Sequence, residues 1–181
     1  MSSVIGVSRR RLLPWLVLIA AGGALGATVL EDRGRSGREA VGRGATLHGT
    51  VTRVVDGDTI HVRVDGRRVK VRYIGVDTPE SHRPDTPVQC FAREATAANA
   101  RLVAGEEVVL RTDAEPRDRY DRLLAYVTRR RDGLFVNAAL VRDGFARILT
   151  IPPNVRYERA FGDLERGARA RGAGLWSRCG P

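Results

Sequence analysis

Two short segments carry the residues best suited to chemistry. Residues 71–80 read VRYIGVDTPE, and DGDT stands upstream at 56–59. Asp58 and Asp77 are hard oxygen ligands of the kind that suit Ca²⁺ or Mg²⁺. Arg72 is a permanent, forked cation matched to phosphate. Glu80 is a carboxylate able to take a proton from water. A metal site, a base and an arginine are the parts that phosphodiester hydrolysis needs. Each residue has a plainer reading. Asp-Gly-Asp-Thr alone is more often a hairpin turn, and Arg72 with Lys70 on one strand face is usually a solvated basic surface. The set carries the case.

Those residues need elements to hold them. Residues 47–55 are apolar and β-branched and stop at Asp56-Gly57-Asp58, which predicts a strand. Residues 59–64 alternate apolar and polar, Asp65-Gly66 signals a hairpin, and 68–76 alternate again. Val69, Val71 and Tyr73 are expected on one face of that strand, and Lys70, Arg72 and Ile74 on the other. Residues 77–89 read as a loop with three prolines. A helix follows over 90–103, stopped by Gly105. Residues 106–112 and 123–129 are two further strands joined by the polar stretch 113–122. A short helix is expected over 136–142 with Gly144 as its cap, an extended piece over 145–150, and a last amphipathic helix over 155–171 before a Leu175-Trp176 anchor. Five strands with helices between and after them predict a mainly β, α+β domain: a five-stranded OB-type barrel with three helices.

The chain has 181 residues and a net charge of +10, carried almost wholly by arginine, since Lys70 is the only lysine. That balance points toward polyanions, nucleic acid or an anionic surface. Aromatics are 6%, too few for a broad base-stacking platform. Arg9, Arg10 and Arg11 precede an uncharged run over 12–30, the pattern of an export signal, with Gly26 or Ala27 as candidate cleavage points. The Ser8-Arg9-Arg10-Arg11-Leu12-Leu13 stretch resembles a twin-arginine signal. An uncleaved membrane anchor is the rival reading of 1–30. Residues 31–45 are rich in Gly and Arg and read as a disordered linker, so the domain is expected over 46–181. Cys90 and Cys179 both fall within it, and in an exported chain a disulfide between them is the natural hypothesis, against two unpaired thiols.

At this point the motifs VVDGDTI, VRYIGVDTPE, DRYDRLLAYV, LFVNAALVRDGFA and GLW, in that order, make the chain resemble the staphylococcal (micrococcal) nuclease family from about Leu47 to Trp176. The resemblance implies a Ca²⁺-dependent endonuclease that cuts DNA and RNA and leaves 3′-phosphate ends. It implies that Asp58, Asp77 and the carbonyl of Thr78 hold calcium, and that Glu80 is the general base. It further implies that Arg72 and Arg122 hold the scissile phosphate, and that Arg119 and Tyr120 help bind the nucleotide.

The chain departs from the family pattern in places. Position 121 is Asp where the family usually has Gly, the loop SHRPDTPVQ lacks a lysine-rich character, and ILTIPPNV lacks a tyrosine near the phosphate. His82, two residues past Glu80, is a rival base, while His48 and His61 fall in strand segments and read as packing or surface groups. The alternative function is a non-catalytic nucleic-acid-binding module on the same fold. A third reading is an envelope protein that uses its basic surface on anionic polymers. No long exposed apolar stripe is seen, so a monomer without a protein partner is expected.

Overall fold

The hairpin signal at Asp65-Gly66 starts the sheet. Both residues take positive φ, 47° and 77°, which a two-residue turn of matching twist requires. In the computed structural model, which describes residues 41–80 and 87–179, this turn joins β2 (Thr59–Val64) to β3 (Arg67–Tyr73), with Val64 opposite Arg67. β1 (Thr46–Val54) lies antiparallel to β2 and is bulged between Val51 and Arg53. After β4 (Gly75–Asp77) and α1 (Ala92–Val103) come β5 (Glu107–Arg111) and β6 (Leu123–Arg129). The order β1-β2-β3-β6-β5 closes into a barrel, with β3 and β6 parallel. The expected five-stranded OB-type barrel is therefore present. Ile60, Val62, Val71, Val108, Leu110 and Leu123 fill it, all fully buried, each contributing roughly 1.5–3 kcal/mol.

The expected strand 68–76 divides in two. Gly75 takes φ +80°, and a Cβ there would lie 2.7 Å from the Phe161 ring, so only glycine fits the bend. Beyond it the chain leaves the barrel, and β4 pairs instead with β7 (Arg147–Leu149), a shorter strand than the extended piece expected over 145–150. The bend also corrects the placement of Ile74. Expected to face outward with Lys70 and Arg72, it is buried, because its amide donates to the Ala125 carbonyl at 3.0 Å and turns it inward.

Two of the helices, α1 and the last long one, start later than expected. Phe91 takes φ 68°, which stops the helix from beginning at Cys90. α2 (Val136–Arg142) matches its expected bounds. α3 (Glu158–Ala170) begins after a turn at 155–157, and a fourth, single-turn helix α4 (Leu175–Arg178) accommodates the Leu175-Trp176 anchor. Tyr126, Phe135, Tyr157 and Phe161 form an aromatic cluster under α2 and α3.

The linker expected over 31–45 is corrected at its C-terminal end. The Ala45 amide donates to the Thr112 hydroxyl at 2.8 Å, that hydroxyl donates to the Gly42 carbonyl, and the Gly44 amide donates to the Asp113 carbonyl. Residues 42–45 are thus sewn to the end of β5. Residues 31–40 of that linker and the export or anchor segment 1–30 lie outside the described residues.

Two buried asparagines lock the strands that bear the site. Asn137 of α2 donates to the Ile74 carbonyl and accepts from the Val127 amide, both at 2.9 Å. Asn99 of α1 accepts the Tyr73 hydroxyl and donates to the Asp56 carbonyl, again at 2.9 Å.

Candidate active site

The DGDT segment turns because Asp56 accepts its own chain. Its Oδ1 takes the Asp58 amide at 3.0 Å, the local side-chain turn that Asp favours. The turn aims Asp58 inward, where it is 5% exposed. Asp58 Oδ2 accepts both the amide and the hydroxyl of Thr78, at 2.8 and 2.9 Å. Its Oδ1 accepts the Thr59 hydroxyl and pairs with Arg72 Nε at 3.1 Å. Gly57 has no room for a side chain, since a Cβ would stand 2.6 Å from Thr78 Oγ1.

Arg72 gathers the site around itself. Nη1 donates to the carbonyls of Val76 (2.7 Å) and Tyr73 (3.1 Å), and Nη2 donates to Asp77 Oδ1 at 3.0 Å. The guanidinium therefore bridges Asp58 and Asp77. The bend at Gly75 makes this geometry, because it returns residues 76–78 toward the strand they left. Burial, then the nearby charge of Asp58, pushes the Asp56 carboxyl up to about 6. Carboxylates crowded in this way are what a dication relieves. Among the described residues no three carboxylate, imidazole or thiol groups form a ready cage. Asp58 and Asp77 are hard oxygen donors that could hold a cation only with further oxygens from backbone, water or substrate.

A cleft of about 490 Å³ opens beside Arg72 and is lined by Asp118, Arg119, Tyr120 and Arg122. Arg122 Nε pairs with Asp118 Oδ2 at 2.6 Å. The Arg119 and Arg122 guanidiniums lie 4.7 and 5.4 Å from the centre of the Tyr120 ring. Two arginines remote in sequence thus face one cleft, as phosphate binding requires.

Known proteins are similar in sequence to this chain. Residues 70–178 match the family described as staphylococcal nuclease homologue. The chain is 40% identical over 128 residues to a thermonuclease of Staphylococcus intermedius, covering 71% of this chain and 75% of that protein. It is 39% identical over 127 residues to a thermonuclease of Staphylococcus hyicus, covering 70% and 74%. It is 38% identical over 133 residues to the endonuclease YncB of Bacillus subtilis, covering 72% and 62%. The chain belongs to the staphylococcal nuclease family.

Within that family the chain's departures have structural answers. Asp121 takes φ 60°, a conformation that Asp tolerates better than most residues. Its carboxylate pairs with Arg117 at 3.2 Å, while Arg122 is engaged by Asp118. Leu149 and Ile151 line the cleft in the segment without tyrosine and are 40% and 61% exposed. Cys90 and Cys179 form a disulfide, and Cys90, Cys179 and Gln89 border a second cleft together with Asp77 and Thr78.

Glu80 lies just beyond β4 and is clasped by Gln89: the Gln89 Oε1 accepts the Glu80 amide at 2.8 Å, and the Gln89 amide donates to the Glu80 carbonyl at 3.0 Å. His82 lies outside the described residues. Sequence reading passes over Gln89, Asn99 and Asp118, three groups that hold the site in place. Asp118 alone had a local signal. Its Oδ1 accepts the amides of Tyr120 and Arg122, the turn chemistry of an Asp placed before a tight loop.

Proposed function

We propose that this endonuclease of the staphylococcal nuclease family is exported, depends on calcium, and cleaves DNA and RNA to 3′-phosphate ends. The observation that carries the reading is the Arg72 guanidinium spanning Asp58 and Asp77 at the cleft that Arg122 also lines. The dication, held by Asp58, Asp77 and the Thr78 carbonyl, would neutralise charge on a phosphate oxygen. Arg122 and Arg72 bind the remaining oxygens and grip harder as phosphorus becomes five-coordinate. For Arg72 to do so its contact with Asp77 must open. That contact is the exposed one of the pair: the Asp77 side chain is 56% exposed against 7% for Asp58. Glu80 takes the proton of the attacking water. The new P–O bond forms, the bond to the 5′ oxygen breaks, the phosphate stays on the 3′ side, and the departing oxygen takes a proton from solvent.

The deciding experiment is digestion of single-stranded DNA and of RNA with Ca²⁺, with chelator, and by Glu80→Gln. Cutting should require Ca²⁺ and fall by roughly 10²–10⁴-fold in the variant. Binding without cutting by the wild type would instead establish a non-catalytic module. Export is tested by N-terminal sequencing of protein recovered outside the cytoplasmic membrane. A start near Ala27 or Thr28 marks a cleaved signal, whereas a start at Met1 or Ser2 marks an anchor.

A further inference from the structure

The outer face of the β2–β3 hairpin carries a charge pattern that the cleavage site does not use. Residues pointing inward, Ile60, Val62 and Val71, are buried, so their neighbours point out. Those neighbours are Arg63 and His61 on β2 and Arg68 and Lys70 on β3. In register, Arg63 stands opposite Arg68, Lys70 opposite His61, and Arg53 of β1 opposite His61 on its other side. Like charges placed directly opposite destabilise a sheet, so the fold bears a cost here. Burial, then Arg68, Lys70 and Arg53, lowers the His61 pKa. Among the described residues no carboxylate pairs with Arg53, Arg63, Arg68 or Lys70. The acid nearest in register, Glu107 across Thr50, is taken by Arg130 at 2.9 Å.

The row continues into the active site. Lys70 and Arg72 are alternate residues of one strand, hence on one face and about 7 Å apart, so the spacing from Arg68 through Lys70 to Arg72 suits successive phosphates of an extended strand. We propose that the exposed face formed by Arg53, Arg63, Arg68 and Lys70 is a track for the phosphate backbone of single-stranded nucleic acid. It leads substrate into or out of the cleavage site at Arg72. The proposal rests on the nuclease reading. The OB architecture supports it, since that fold presents its second and third strands to oligonucleotides. A bilayer surface fits less well, because the large exposed apolar residues, Val88, Tyr120, Leu149, Ile151 and Val155, fall outside this face.

The test uses the full chain and the combined Arg63→Ser, Arg68→Ser, Lys70→Ser variant, with Lys70→Ser alone as a second. Cleavage of a trinucleotide and of a long oligothymidylate is followed against salt, and binding of the long oligonucleotide is measured in chelator. With three cations gone, the slope of log affinity on log salt should shrink by about 2. The kcat/KM for the long substrate should fall about tenfold at physiological salt, while trinucleotide cleavage holds. An unchanged slope, or equal losses on both substrates, overturns the track. If the wild type cuts nothing, the nuclease reading fails, and the binding slopes still decide the track. Tighter binding of the same face to phosphatidylglycerol vesicles than to oligothymidylate overturns it in favour of a membrane contact.

Discussion

Asp118 is the residue whose removal should say most about the site. Burial alone would push its carboxyl up, but the Arg122 amide and guanidinium outweigh that and hold it below its ordinary value. A carboxyl lowered by folding stabilises the fold above its unfolded pKa, and that contribution is lost as pH falls through the folded value. The clamp on Arg122 should therefore persist at neutral and mildly acidic pH and fail only in strong acid. Asp118→Asn should lower kcat/KM about tenfold, the worth of one charge-assisted hydrogen bond. It should also flatten the acid fall of the thermal midpoint expected of the wild type. An acid fall as steep as the wild type's would mean that Asp118 does not carry it. Asp58, Arg72 and Asp77 were legible in the sequence because their chemical types and close spacing announce them. Asp118 carried a local turn signal, but its clamp on the Arg122 guanidinium was not legible, because only the fold shows which side chain the turn presents.

At the level of elements, the informative piece is the neck between β4 and α1. Gln89 accepts the Glu80 amide through its side chain. On the proposed mechanism, Gln89→Ala should lower kcat several-fold with KM unchanged, because it loosens the proposed base Glu80 without touching the proposed phosphate-binding arginines. Gln89→Glu, which keeps an acceptor, should restore most of the rate. Parallel changes in kcat and KM, or no rescue, would assign Gln89 to folding alone. No sequence pattern marked this clasp, since a glutamine at a loop end looks like any polar residue. The strand break at Gly75 escaped for a different reason. Apolar and polar residues keep alternating through it, and only a glycine, which strands also tolerate, signals the turn. The barrel strands themselves were readable, because each is a local alternation bounded by turn residues.

For the molecule as a whole, the disulfide is the main fastening outside the core. It joins residues 89 positions apart, so it closes a long loop and restricts the unfolded chain accordingly. The Cys90→Ser, Cys179→Ser pair should lose roughly 2–4 kcal/mol and about 10 °C of thermal midpoint. An unchanged midpoint under reducing and oxidising conditions would show that the bond does not form in solution. Its pairing was legible from two cysteines and an export-like leader. Its nearness to Asp77 and Thr78 was not, because nothing local relates Cys179 to them.

Gly57 packs beneath Thr78 with no space for a β-carbon. A methyl group there would have to displace Thr78, the residue that steadies the buried Asp58. Folding and turnover would then both constrain this codon. In a library sorted for soluble expression, and more sharply in one sorted for cleavage, position 57 should return to glycine.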